Sequence, residues 1–380
     1  MAMPRIRILH IVHSLGYGGM ESRIARLARG LPRETHEVEV LSFKAASTGK
    51  LELAAGVPHR LFPIPSGLHP LLLLRLALAV RRGGYDIVHT HNWSSMFYGV
   101  AAAALARGPV VVHGEHGLNR SDLSGIPWKR LAAQRVLARI ADWIVPVNGV
   151  IAAHVRKAWR LDDSRMTVIP NGVDLERFAP APPGPAPEGF ALGMVGRLDD
   201  VKDIGCALRA VRLLIDQGKG EGLRLILVGE GPMRERLGAL AAETGVADRV
   251  EFAGARSDVE AWYPRFHLYL NTSVYEGMCN TLLEAMACGL PLVASRVPGN
   301  AAWLKETENG LFFEAGDARG LAGCIEALRA DPHARGAMGR RNRLRAETEF
   351  DNRRFIEAYA GLYARLLANR DRARGGGKPG

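Results

Sequence analysis

The strongest constraint in this sequence is a rhythm that breaks once. Short apolar runs of strand length alternate with alanine- and leucine-rich stretches of helical period. The alternation stops at residues 179–187, APAPPGPAP, where five of nine residues are proline, and then restarts. Strand–helix alternation at this spacing builds parallel sheets with crossover helices. Neither a helix nor a central strand passes through such a proline segment, because proline lacks the amide proton and clashes with the preceding turn. The expectation is an α/β chain in two parts: residues 1–178, a linker over 179–189, residues 190–350, a last helix over about 351–369, and a flexible tail at 370–380.

In the first part the strand candidates are Ile6–Val12, Glu37–Leu41, Ile87–Thr90, Val110–His113, Trp143–Val147 and Thr167–Ile169. In the second they are Ala191–Val195, Arg224–Val228, Val250–Phe252, Leu268–Leu270 and Pro291–Ala294. Phe355, Ala358, Leu362 and Leu366 mark the apolar face of the last helix. A chain of 380 residues, 47% of them hydrophobic, supports two cores and excludes global disorder.

Composition narrows the class further. The four cysteines, Cys206, Cys279, Cys288 and Cys324, form no C-x-x-C pair and suit a reducing, cytoplasmic compartment. The first apolar stretch is interrupted by His10 and His13 and lacks a small-residue cleavage site, so it reads as a buried strand over Arg7–His13, not as a signal peptide. The net charge of +11 attracts phosphorylated substrates, anionic lipid or nucleic acid. No nucleic-acid-binding motif accompanies it, so nucleic acid is not an expected partner. No apolar run reaches the ~20 residues of a spanning helix. Leu71–Val80, LLLLRLALAV, is broken by Arg75 and followed by Arg81 and Arg82. It reads as a core-packed helix whose other face can meet an anionic membrane surface.

Open parallel sheets bind ligands beyond the carboxyl ends of their strands, so the residues there carry the functional reading. Gly16-Tyr17-Gly18-Gly19-Met20-Glu21 follows the first strand and is either an anion-approaching loop or an ordinary glycine turn. Gly196-Arg197 with Lys202 follows Ala191–Val195, placing two cations before a helix, where a diphosphate fits. Gly229-Glu230-Gly231-Pro232 reads as a structural turn leading into a helix. The most informative segment is Tyr275–Gly289, YEGMCNTLLEAMACG. Gly277 loosens the loop, Asn280 or Thr281 can cap a helix, and Gly289 can end it. Glu276 then lies in the loop and Glu284 one turn into the helix, about 6 Å along. A helix start holding phosphate would place Glu284 at ribose hydroxyls and Glu276 near a sugar. His113, Glu115 and His116 in V-V-H-G-E-H-G show no third metal-ligand spacing, and the chain contains no D-x-D, so no metal is expected. His89 and His91 read as cleft-edge residues.

These motifs together resemble the retaining family 4 glycosyltransferases, which have the GT-B fold. The resemblance rests on G-G-x-E at Gly18–Glu21, Gly196-Arg197 with Lys202, V-G-E-G-P at 228–232, E-x7-E at Glu276–Glu284, and I-P-N-G-V-D at 169–174. Within the family, H-S-L-G-Y-G-G-M-E, V-H-G-E-H-G and E-G-M-C-N-T-L-L-E-A-M-A-C-G-L-P look most like the PEP-CTERM-associated exopolysaccharide sugar transferases. The resemblance implies two Rossmann-like domains facing across a cleft, with the last helix packing back on the N-terminal, acceptor-binding domain. It implies a UDP- or GDP-linked sugar donor as substrate, no cofactor, and a lipid-linked or polysaccharide acceptor at the inner face of the membrane. By resemblance, Arg197 and Lys202 bind the donor diphosphate and stabilise the leaving group, Glu284 holds the ribose, and Glu276 contacts the donor sugar. Gly277 and the backbone of Cys279, Asn280 and Thr281 help hold phosphate or sugar. Gly18 and Gly19 approach the phosphate, and His116 lies near sugar and acceptor. Two departures stand out: Val147-Asn148 replaces the usual V-S, and Val297–Ala302, VPGNAA, replaces V-G-G-x-P-E, without its glutamate. Two competing readings are a GT-B sugar-nucleotide epimerase and a non-catalytic nucleotide-binding scaffold.

Overall fold

The computed structural model describes residues 5–16, 18–45, 53, 56–65, 67–117, 125–181 and 189–375. They form two compact units, one of residues 1–171 with 353–380 and one of residues 172–352.

In unit 1, β1 (Ile6–Val12) leads to α1 (Gly19–Gly30), then β2 (His36–Ser42), β3 (His59–Leu61), α2 (Pro70–Gly83), β4 (Ile87–His91), α3 (Asn92–Ala106), β5 (Val110–Glu115), α4 (Trp128–Ile140), β6 (Trp143–Pro146) and α5 (Gly149–Trp159). In unit 2, β7 (Phe190–Val195) is followed by α6 (Ile204–Asp216), β8 (Leu223–Val228), α7 (Arg234–Glu243), β9 (Val250–Gly254), β10 (Leu268–Asn271), α8 (Asn280–Ala287), β11 (Leu292–Ser295), α9 (Pro298–Ala301), β12 (Leu311–Phe313), α10 (Ala318–Ala330) and α11 (Pro332–Glu349). The last helix, α12 (Asn352–Gly375), belongs almost wholly to unit 1.

The sheets run in the order β3-β2-β1-β4-β5-β6 and β12-β11-β10-β7-β8-β9. Read from its first strand outward, each unit has the same doubly wound order. Every pairing between these strands is parallel. Central strands such as β1 and β8 are apolar along nearly their whole length because helices cover both faces of such a sheet. The order reverses between β1 and β4 in unit 1 and between β7 and β10 in unit 2, and that reversal is where such sheets bind ligands.

Several sequence expectations need correction. The division between units falls at 171/172, ahead of the proline segment. The Val173 amide donates to Phe350 O (2.8 Å), the Asn352 amide donates to Val173 O (3.0 Å), and Phe178 packs edge-on against Tyr263, so residues 172–178 are tied into unit 2. Residues 182–188 of the expected linker lie outside the described residues. Thr167–Ile169 is not a strand, although its amides bond to Ile144 O and Pro146 O beside β6. The three-residue strands β3 and β12 were too short to show a period. The expected tail is helical through residue 375. Arg370 lies 3.8 Å from the Asp86 carboxylate and donates to Gly108 O, holding that end of α12; residues 376–380 lie outside the described residues. Ala358 is exposed. The buried face of α12 is Phe355, Tyr359, Leu362, Tyr363 and Leu366, packed with Ile8, Ile87 and Val112 of the unit 1 sheet.

Candidate active site

In unit 2 a recess opens where β7 and β10 part. It is lined by Gly196, Arg197, Lys202, Asn271 and Ser273 among others, and holds about 310 Å³ with its solvent-open space included. Gly196 has φ +144°, a conformation costly for any residue with a β-carbon. The loop after it is braced by the G-E-G-P turn: the Leu198 amide donates to Glu230 O and the Met233 amide to Leu198 O. A β-carbon on Gly231 would strike the Leu198 backbone. The structural reading of that turn holds, though Pro232 sits ahead of α7 rather than at its first residue. The Thr272 hydroxyl donates to Lys202 O (2.6 Å) and the Val274 amide to Val201 O (2.8 Å), so the loop after β10 is fastened to the loop carrying Lys202.

Lys202 and Glu276 form an ion pair at 2.6 Å, with side chains 26% and 11% exposed. Glu276 Oε1 also accepts from Ser273 Oγ (2.7 Å) and Asn271 Nδ2 (3.2 Å). Burial pushes the Glu276 carboxyl up, but the Lys202 charge and these three donors outweigh it and hold the group below the usual carboxylate range. Burial pulls Lys202 down, and Glu276 more than restores it, so the ammonium stays charged. Arg197 is exposed, with Nε 3.9 Å from the Asp199 carboxylate, a solvent-screened contact that holds it only weakly.

Glu276 lies in the loop and Glu284 one turn into α8. The helix begins differently from the sequence expectation: Cys279 is the N-cap, with no side-chain capping bond, and Asn280 and Thr281 are its first two residues. Gly289, at φ +70°, ends it as expected. Glu284 Oε2 accepts from the Tyr263 hydroxyl (2.6 Å) and does not line the recess itself. The buried Tyr269 hydroxyl connects the two places, lying 2.6 Å from Thr281 Oγ1 and 3.2 Å from Val195 O at the end of β7. Burial pushes the Cys279 thiol up to about 11, with the Glu276 charge adding to it, so it is a packing group and not a nucleophile.

Gly18, Gly19 and His116 belong to unit 1. Gly18 precedes α1 in extended conformation, and a β-carbon there would collide with the Glu21 carboxylate. His116 joins a chain of rings that the sequence concealed. Arg23, 2% exposed, lies 3.2 Å from His116 Nδ1; His116 Nε2 is 2.9 Å from His91 Nδ1; His91 Nε2 is 2.9 Å from His10 Nδ1. A guanidinium only donates, so His116 Nδ1 must accept. Each neutral ring then passes a proton onward: His116 donates from Nε2 to His91, and His91 donates from Nε2 to His10. His10 keeps its proton on Nε2, which is buried and has no hydrogen-bond partner. Burial holds His10 at about 3, and burial with the Arg23 charge holds His116 well below its ordinary value.

His10, His89 and His91 have ring nitrogens within 4.8 Å of one another. In the tautomers that Arg23 directs, His10 Nε2 carries a proton rather than a lone pair. His89 and His91 are fully buried rather than cleft-edge, which corrects the sequence reading. His113 faces Thr90 and Glu115 while His116 faces Arg23 and His91, so the two do not share a ligand direction. Arg23, Tyr263, Tyr269, Asn271 and Ser273 escaped the sequence reading. The available signal was polar residues at alternate positions of otherwise apolar strands: His89 with His91, and Tyr269 with Asn271.

Comparison with known proteins places this geometry. Residues 17–177 match the Glycosyltransferase Family 4 profile, and residues 189–331 match Glycosyl transferases group 1. The chain is 30% identical over 395 residues to D-inositol 3-phosphate glycosyltransferase of Acidothermus cellulolyticus, covering 93% of this chain and 87% of that protein. It is 26% identical over 314 residues to UDP-Gal:alpha-D-GlcNAc-diphosphoundecaprenol alpha-1,3-galactosyltransferase of Escherichia coli, covering 78% and 80%. The crystal structure of Anabaena Alr3699/HepE in complex with UDP superposes with a TM-score of 0.82 at 21% identity, over 94% of this chain and all of that one. With two doubly wound units and a match along both, the chain belongs to the family 4 glycosyltransferases of GT-B fold.

Proposed function

We propose that the chain is a retaining, metal-independent transferase that moves a sugar from a UDP- or GDP-linked donor to a lipid-linked or glycan acceptor in envelope or exopolysaccharide synthesis, working in the cytoplasm at the inner face of the membrane. The observation that carries the reading is the Lys202–Glu276 pair beside exposed Arg197 at the β7/β10 reversal. In this scheme unit 2 takes the donor. Arg197 and Lys202 hold its diphosphate, Glu284 meets the ribose, Glu276 the sugar, and Gly277 with the backbone of 279–281 the phosphate or sugar oxygens. Unit 1 takes the acceptor, Gly18 and Gly19 approach the donor phosphate, and His116 lies near sugar and acceptor.

The acceptor oxygen attacks the anomeric carbon from the side the phosphate leaves. The carbon–oxygen bond to phosphate breaks, the new glycosidic bond forms, and the acceptor proton passes to the departing phosphate oxygen. Two features favour phosphate as the base. Both nitrogens of His116 are engaged and the ring is held neutral, and Glu276 is a weakened base beside Lys202. Arg197 and Lys202 stabilise charge on the leaving group. The two relatives are named for phosphorylated sugars or polyols, D-inositol 3-phosphate and a diphosphoundecaprenol-linked sugar, and a net charge of +11 suits a substrate of that class.

Among the described residues no helix is long and apolar enough to cross a membrane. Helix α2 buries Leu76, Ala77 and Val80 and exposes Leu71, Leu74 and Leu78 beside Arg75, Arg81 and Arg82, a face suited to anionic lipid. Co-sedimentation with anionic vesicles that weakens with salt is the expected result; binding indifferent to both charge and salt removes this part of the reading. The main test is a panel of sugar nucleotides and free nucleoside diphosphates read by thermal shift, followed by transfer assays that resolve the product anomer. An inverted product, or melting points unmoved by every nucleotide, overturns the proposal.

A further inference from the structure

We propose that Asn300 is a positioning residue for the donor-side carboxylate, acting through Asn271; the proposal rests on Glu276 contacting the donor sugar. Asn300 is fully buried on α9, and its amide nitrogen lies 3.0 Å from both Ser295 O and Asn271 Oδ1. A backbone carbonyl only accepts, so this side of Asn300 is its NH2. Asn271 must then present its oxygen to Asn300, and its own NH2 faces Glu276 Oε1 (3.2 Å) and Cys279 Sγ (3.4 Å). The Ser295 carbonyl, Asn300 and Asn271 thus form a directed chain that ends on the carboxylate. Reversing the Asn300 amide sets oxygen against oxygen at both of its contacts.

Two further observations point the same way. Asn300 Oδ1 is buried with no hydrogen-bond partner. Such an orphan lowers stability, so the side chain is not explained by its own satisfaction; what it secures is the two donor contacts. The backbone of α9 also presses on the same loop, because a β-carbon on Gly299 would strike the carbonyl of Glu276. One short segment therefore clamps Glu276 by side chain and by main chain. Its effect is to gather Lys202, Ser273 and Asn271 on Oε1 and so fix the orientation of the carboxylate. The clamp lies in the 297–302 segment, where the sequence departs from V-G-G-x-P-E.

The test compares Asn300→Asp, Asn300→Ala and Glu276→Ala in the full chain. Melting temperature, affinity for free UDP and GDP, kcat, KM and the acid limb of the pH–rate profile are measured for each. The titratable groups facing Glu276 are Lys202 and Cys279. Asn300→Asp is expected to lower kcat roughly tenfold or more and to move the acid limb upward by about one pH unit, with nucleoside diphosphate affinity retained. Asn300→Ala moves both in the same direction by less. Asn271→Ala combined with Asn300→Ala is no worse than Asn271→Ala alone, because the two act in series. Folded Asn300 variants with wild-type kcat and acid limb overturn the inference. Should Asn300→Asp fail to fold, Asn300→Ala and Asn300→Ser decide by the same readouts. Wild-type turnover in Glu276→Ala is a different result, and it overturns the assignment of Glu276 to the sugar rather than the Asn300 chain alone.

Discussion

Unit 1 and unit 2 wind their strands in the same order, yet they fill the point of reversal with opposite chemistry. In unit 1 it carries His10, His89 and His91, packed ring against ring, buried and held neutral, with Arg23 as the cation behind them. Arg23 bonds Asn171, Ile169 O, Tyr359 and His116, and among the described residues no carboxylate pairs with it. In unit 2 the equivalent point carries a carboxylate and an ammonium in direct contact, with an exposed arginine beside Asp199 at the rim. A shared backbone topology thus fixes where a site forms and leaves its chemistry to a few side chains. The neutral region suits shape and hydrogen-bond direction; the charged region suits a diphosphate.

The largest expected effect falls on the charged side. Under the proposed function, Lys202→Ala should cut turnover roughly 10²–10³-fold, since it would remove the charge proposed to stabilise the leaving group and leaves Glu276 without its ion-pair partner. A loss below tenfold in steady-state assays would remove the distinction between the units. Arg23→Leu should cost roughly 2–4 kcal/mol by leaving acceptors of Asn171, Ile169 and Tyr359 without their donor. It should also release the histidine tautomers, visible as altered ¹⁵N shifts of His10 and His91; unchanged shifts would show that Arg23 does not direct the chain.

Acid separates the units next. His10 is held at about 3 against an ordinary 6.5, so the unfolded chain takes up protons that the folded chain refuses. Unit 1 stability therefore declines as pH falls from about 6.5 toward 3, by up to about 1.4 kcal/mol per pH unit for each such histidine. Glu276, with a lowered pKa, contributes stability that is complete above the ordinary carboxylate value and lost only as pH falls through its depressed folded value. Hydrogen exchange should show β1 and β4 opening at a higher pH than β7 and β10; the reverse order breaks the comparison. The smallest effect is that of Thr281→Val, which removes one of the two hydrogen-bond partners of the Tyr269 hydroxyl and leaves Val195 O. It should cost about 1 kcal/mol in denaturant unfolding and weaken nucleotide binding only slightly.

Much of the fold was legible because its signals are local. Strand-length apolar runs and proline punctuation report on a few neighbouring residues, and ten of the expected strands lie within or close to observed ones. The misses share a cause. β3 and β12 span three residues each, too few to display a period. The unit boundary moved because Val173 and Phe178 find partners more than eighty residues away, at Phe350 and Tyr263. At the site, Lys202, Glu276 and Glu284 were marked by spacing around glycines and a helix start. Tyr263 and Asn300 carry no such mark, since their roles depend on what faces them across the sheet.

By itself the sequence determined the alternating architecture, the two halves and the residues that bring charge, because hydrophobic period and backbone freedom are properties of adjacent residues. Only the tertiary structure decided that Lys202 meets Glu276, that Arg23 directs three histidines, and that Asn300 turns an amide toward a carboxylate. Hydrogen-bond direction and desolvation depend on which groups are brought face to face, and parallel crossovers bring together residues from distant parts of the chain.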